Sequence, residues 1–163
     1  MDARSVFKNI SPIDHRYSLP HGGIYDDLSP FLSEEAAILY CAKAEIALVK
    51  THLAVAEQKD KSLFPPLSGE LEDELDGIAL NIDPCEVYEE EQKTQHNIRA
   101  LVNVLKKKIP HATAPLVHLG ATSADILDTA FSMRIRDAVT GVIIPLLKKT
   151  ELLLCAVAER EAE

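Results

Sequence analysis

Three short stretches of the chain carry side chains that could do chemistry. His96, within Lys93-Thr94-Gln95-His96-Asn97-Ile98, is an imidazole between two amides, a group suited to moving or sharing a proton near neutral pH. The stretch His118-Leu119-Gly120-Ala121-Thr122-Ser123 sets an imidazole and two hydroxyls around a glycine, directly before a helical pattern. There the unpaired backbone N–H groups and the positive end of the helix dipole suit a phosphate or a carboxylate. Arg16-Tyr17, inside Ser11-Pro12-Ile13-Asp14-His15-Arg16-Tyr17-Ser18, pairs a planar cation able to grip an anion bidentately with a phenol.

Each stretch also has a plainer account. His96 falls about 160° from the centre of an apolar helical stripe made by Ile98, Leu101, Val102, Leu105 and Ile109. Glu89, Lys93, Asn103 and Lys107 share its side, which is either a solvated face or the wall of a polar cleft. Thr122 can cap the helix with Asp125 answering it, while Ser123 and the amides stay open to a ligand. Asp14 gives Arg16 a local ion-pair partner. No Cys/His metal cluster, Gly-rich phosphate loop or nucleophile elbow occurs, Gly22-Gly23 is a loop signal, and no cofactor or metal is expected.

The elements that must position these residues read as helices. Residues 1–30 mix Ser, Pro, Gly and Asp without periodicity and are expected to form an irregular arm. Ser33 then caps a helix whose stripe is Leu39, Ala42, Ile46, Val49, Leu53 and Ala56. Pro65-Pro66 breaks the chain, and Ser68 opens a short helix with Leu71, Leu75 and Ile78 on one face. Asp83, Pro84 and Glu86 start a third helix, expected to run through His96 to Lys106-Lys107-Lys108 and to stop at Pro110. From Thr122 onward only Pro145 interrupts the pattern, where a bend or brief break is expected. Unbroken, that last helix would measure about 60 Å, against about 40 Å for a compact chain of this size. It should project beyond its own domain, and its second half is apolar on nearly every side, as in the middle of a bundle. With no strand alternation or internal repeat, the expected class is all-α, divided into a helical domain over 1–120 and a long helix over 121–163.

Composition excludes several roles. At 163 residues and 47% hydrophobic content the chain can bury a sizeable core, as an ordinary globular domain does. Its net charge of −9 disfavours nucleic acid and anionic membranes as partners, though not a small anion in a local cationic pocket. Cys41, Cys85 and Cys155 are odd in number and widely spaced, which fits neither a disulfide framework nor a metal site and points to a reducing cytoplasm. The first 25 residues hold no apolar run of the kind a signal peptide needs, and residues 142–147, the longest apolar run, are too few to span a bilayer.

Taken in order, the three stretches resemble the motifs of the amino-terminal region of the adenylosuccinate lyases. Ser11 to Tyr17 resembles S-P-x-D-G-R-Y, Thr94 to Ile98 resembles T-x-H-D-V, and His118 to Ile126 resembles H-x-G-x-T-S-x-D-I. The last motif is shared across the fumarase/aspartase superfamily, including cycloisomerases and aspartase-like lyases, so the first two carry the narrower likeness. The alternative from another class is a helical oligomerisation module, in which every motif is cap or surface. The resemblance implies an all-α fold whose last helix opens a central bundle, and a β-elimination that releases fumarate from adenylosuccinate or SAICAR in purine synthesis. It implies that Arg16 and Tyr17 meet the nucleotide, that Gln95, His96 and Asn97 lie against the substrate with His96 in the proton and charge network, that Thr122 and Ser123 hold the succinyl portion, and that His118 approaches the phosphate. It implies homotetramers whose sites combine three subunits. The family's acid is a histidine in G-R-T-H-G, expected after Glu163, and its base is a serine on a much later loop, so this stretch alone should be inactive. Two positions depart from the pattern. His15 stands where the family has Gly, and Asn97 where it has Asp; an amide cannot stabilise a neighbouring imidazolium by charge.

Overall fold

The computed structural model describes residues 6–11, 22–59 and 62–162, and these are helical with no strand among them, an all-α chain. Helix α1 spans Gly22–Leu32, α2 Glu34–Lys59, α3 Gly69–Leu80, α4 Pro84–Thr94, α5 Asn97–Lys108, α6 Ser123–Ala138 and α7 Ile144–Glu161. Single 3₁₀ turns form at Val6–Lys8 and Ala114–Leu116, and a π turn at Val139–Ile143 joins α6 to α7. Two compact units divide the chain, one of Ala37–Phe131 and one of Met1–Ala36 with Ser132–Glu163.

The unit Ala37–Phe131 holds the larger core. Ile46, Val49 and Leu53 of α2, Leu75 and Ala79 of α3, Val87 of α4, Ile98, Leu101 and Leu105 of α5, and Ile126 and Ala130 of α6 are all buried. Each large aliphatic side chain so placed stabilises the fold by about 1.5–3 kcal/mol. The helix starts are fixed locally. Ser68 accepts from the N–H of Leu71 at 3.3 Å, and Asp83 accepts from that of Cys85 at 2.9 Å, each quieting a donor that the first turn leaves unpaired.

The third helix read from the sequence is two helices. Gln95 adopts the left-handed conformation at φ 52° and ends α4, and His96, extended at φ −157°, is the N-cap of α5. The helices then fold back on each other, as the pairs Glu86–Lys108 and Glu90–Asn103 record. His96 therefore sits at a hairpin tip and not midway along a helix face. Glu90, its side chain 13% exposed, ties the pair together by accepting from Asn103 at 2.9 Å, Lys93 at 3.2 Å and Lys107 at 3.3 Å. Those bonds, Asn103's first, hold its carboxyl down to about 2.

In the other unit, the irregular arm expected over residues 1–30 gives way to helix from Gly22. Tyr25, Leu28, Ser29 and Leu32 are half-buried at helical spacing, a face masked in the sequence by the glycine pair before it and Pro30 inside it. The Arg134 guanidinium donates to the carbonyls of Phe31 at 2.8 Å and Ser33 at 3.0 Å, which supplies α1 with the cationic end its own sequence lacks. The expected interruption near Pro145 is the π turn: the N–H of Ile144 reaches the carbonyl of Val139, five residues back. Proline lacks a donor and crowds the carbonyl four residues earlier, and a widened turn relieves both problems. No residue of α7 is buried. No helix among the described residues is long and apolar enough to cross a membrane.

Candidate functional site

His118 itself, and the residue just before His96, are held at backbone positions that ordinary residues avoid. Among the described residues, Gln95 and His118 are the non-glycine positions with positive φ, at 52° and 62°, each costing about 1–3 kcal/mol that the surrounding structure must offset. One adjoins His96 and the other is His118 itself. Gly120, at φ 72°, takes the second positive φ of this turn without the strain a side chain would add.

The tip of the α4–α5 hairpin fixes the His96 ring. Its Nδ1 accepts the N–H of Arg99 at 3.2 Å, and a nitrogen that accepts holds no proton, so a neutral ring carries its proton on Nε2. Nε2 lies 3.5 Å from the hydroxyl of Ser123, a long contact that brings residues 27 positions apart to one place. Thr94 donates to the His96 carbonyl at 3.1 Å, and the Asn97 side chain accepts from the N–H of Ile98 at 2.7 Å. Gln95 donates back to the Gln92 carbonyl at 2.9 Å.

The second turn ends in a reciprocal cap. The N–H and hydroxyl of Thr122 both donate to one oxygen of Asp125 at 2.8 Å, and the N–H of Asp125 reaches the Thr122 hydroxyl at 3.4 Å. These contacts, the backbone N–H first, hold the Asp125 carboxyl below its ordinary range. The Thr122 hydroxyl proton is thus spent on the cap, and Ser123 is the hydroxyl that meets His96. The cap leaves the N–H groups of Ser123 and Ala124 as the open donors at the head of α6.

His118 turns the other way. Its Nδ1 lies 2.7 Å from Oε1 of Glu45, whose side chain is 0% exposed while that of His118 is 23% exposed. Burial pushes the Glu45 carboxyl up, against the pull of the His118 bond and the charge of Lys106. His52 Nε2 holds the next carbonyl, that of Leu119, at 2.9 Å. Neither Glu45 nor His52 was singled out in the sequence, although Glu45 stands in the Ala42-Ile46-Val49 stripe, where a charge is out of place.

The structure therefore brings His96, Ser123 and the capped turn together, with Gln95 and Asn97 beside them, and ties His118 to a buried carboxylate. Arg16 and Tyr17, with Asp14 and His15, lie outside the described residues. No group of three His, Cys, Asp or Glu able to hold a metal occurs among the described residues. None of the three cysteines forms a disulfide, Cys41 being buried and the other two exposed.

No family model matches the chain. Curated relatives do. Over 149 residues it is 30% identical to an adenylosuccinate lyase of Vibrio cholerae, covering 86% of this chain and 31% of the relative. Over 130 residues it is 35% identical to one of Archaeoglobus fulgidus, covering 79% and 25%, and over 155 residues 32% identical to one of Dictyostelium discoideum, covering 88% and 31%. The chain spans at most 31% of the length of these relatives. Similarity that runs through most of an all-helical chain, and through the two histidine turns described above, makes this protein a member of the adenylosuccinate lyase family.

Proposed function

We propose that this chain supplies the amino-terminal part of an adenylosuccinate lyase, a C–N lyase that releases fumarate from adenylosuccinate to leave AMP, and from SAICAR to leave AICAR, in cytoplasmic purine synthesis. The observation that carries the reading is the meeting of His96 with Ser123 at the open head of α6. An Nε2–H, a hydroxyl and two helix N–H groups lie close together there, a donor set suited to a carboxylate. In this reading His96 belongs to the proton and charge network, Gln95 and Asn97 flank it, and Thr122 and Ser123 face the succinyl portion. His118 faces the phosphate, and Arg16 and Tyr17 take the nucleotide. The elimination removes a proton beside a carboxylate, breaks the C–N bond and protonates the departing nitrogen; the acid and base for it come from outside this stretch. Residues 1–120 act as one helical domain, and residues 121–163 begin a bundle completed in a homotetramer.

In the full-length protein, His96→Ala should lower fumarate release, followed in the ultraviolet, by about a hundredfold or more, as loss of an acid–base or charge-network group does. Helical content should barely change because His96 is exposed, and the thermal midpoint should fall only by the equivalent of about 1 kcal/mol, the cost of losing its N-cap bond to Arg99. Full activity in this variant would overturn the assignment.

A further inference from the structure

We propose that Glu45 is a positioning residue for His118: its buried carboxylate takes the ring's Nδ1–H, so that Nε2, as the N–H of the imidazolium, is the donor offered to an anionic ligand at the 118–123 turn. The inference rests on reading that turn as an anion site and adds the group that aims its imidazole. Glu45 lies on α2 among Ala42, Ile46 and Val49, all at most 1% exposed. A carboxylate there loses its hydration, and an apolar side chain of similar volume would serve packing as well or better. The compensation for it is partial, although the His118 backbone N–H and the Lys106 charge also favour the carboxylate. Oε1 has the His118 bond, whereas the buried Oε2 has no hydrogen-bond partner among the described residues. A buried carboxylate with one oxygen left unpaired is poor structural material, and its side-chain bond goes to the ring in question.

The rest of the turn is built to the same end. The positive φ of His118 fixes where its side chain leaves the backbone, and His52 pins the following carbonyl. The ionised carboxylate can only accept, so opposite it Nδ1 must donate. Nε2 is then the free nitrogen, an acceptor in the neutral ring and a donor in the imidazolium, with the Glu45 charge behind it in both states. Asp125 also acts on His118 by charge, and Lys106 on Glu45. His96 is held in the opposite sense, with Nδ1 accepting. Both rings thus present Nε2, and the two neutral rings differ in its state: protonated at His96 and bare at His118.

The test is nitrogen NMR of the protein labelled in its histidines, with AMP and inorganic phosphate as probes. In the wild type the neutral His118 ring should carry its proton on Nδ1 and the His96 ring on Nε2, and millimolar AMP should shift the His118 signals. Glu45→Leu should move the His118 proton towards Nε2 and weaken AMP binding about tenfold, the loss of one charge-assisted contact. Glu45→Gln, which keeps an acceptor oxygen, should restore the Nδ1–H form. A wild-type His118 protonated on Nε2 overturns the role of Glu45 whatever AMP does, and needs no variant to fold. An Nδ1–H ring that ignores both probes overturns instead the anion site on which the proposal rests.

Discussion

The unit Ala37–Phe131 and the helix α7 are made of similar residues and meet opposite fates. In the first, Leu75, Leu101 and Leu105 are at most 2% exposed. In the second, Leu147, Leu152, Leu153 and Leu154 are each at least 59% exposed. An apolar stripe states how much surface must be covered; it does not say which segment covers it. The first unit contains its own cover. The bare leucines of α7 are what the proposed bundle partners would take up, since apolar surface left in water forgoes about 25 cal/mol per Å².

The sharpest way to break that contrast is to make one substitution in both places. Leu101→Ala should cost about 2–5 kcal/mol, the usual range for emptying a packed site, read as a lower denaturant midpoint. Leu153→Ala in this chain at low concentration should stay within about 0.5 kcal/mol of the wild type. Equal losses in the dilute chain would show that α7 already has a partner. In the full-length assembled protein the Leu153 loss should grow towards the Leu101 value, and light scattering over a concentration series should follow the same assembly.

A smaller effect is expected at the cap of α6. Thr122→Ala should cost about 1 kcal/mol in chemical denaturation. Because the Asp125 carboxyl is held below its ordinary range, its contribution is present above that range and is lost as pH falls through the lowered value. The Thr122→Ala deficit should therefore shrink on strong acidification, and a deficit that grew would contradict the cap.

The smallest effect belongs to Glu90, whose cationic partners Lys93 and Lys107 are 71% and 62% exposed and so are screened by salt. With its carboxyl lowered from 4.5 to about 2, Glu90 stabilises the hairpin above pH 4.5 and loses that effect as pH falls towards 2. Melting curves of wild type and Glu90→Gln should differ at pH 7, converge on acidification, and differ less in high salt.

The helical class, the starts at Ser33, Ser68, Asp83 and Thr122, and the disturbance before Pro145 were all legible in the sequence. The hairpin tip was not. Thr94-Gln95-His96-Asn97 contains neither Gly nor Pro, and Gln is an unusual residue for a left-handed cap. The break holds because α4 and α5 bury Val87 and Ile98 and cross-link through Glu90, a tertiary gain that exceeds the local preference to continue. The helix at Gly22–Leu32 was missed for the converse reason, its four-residue face being short and flanked by breakers.

What the sequence determined by itself is what residues within one helical turn decide together: the caps, whose donor and acceptor lie two or three positions apart, and the motifs that mark the family. Only the tertiary structure decided which nitrogen of each histidine carries the proton. That depends on partners far along the chain or on a break no local signal announces: Glu45, 73 positions from His118, and the turn that gives His96 the N–H of Arg99 to accept. A side chain's chemistry is written in its type, but its proton goes where the fold puts the nearest acceptor.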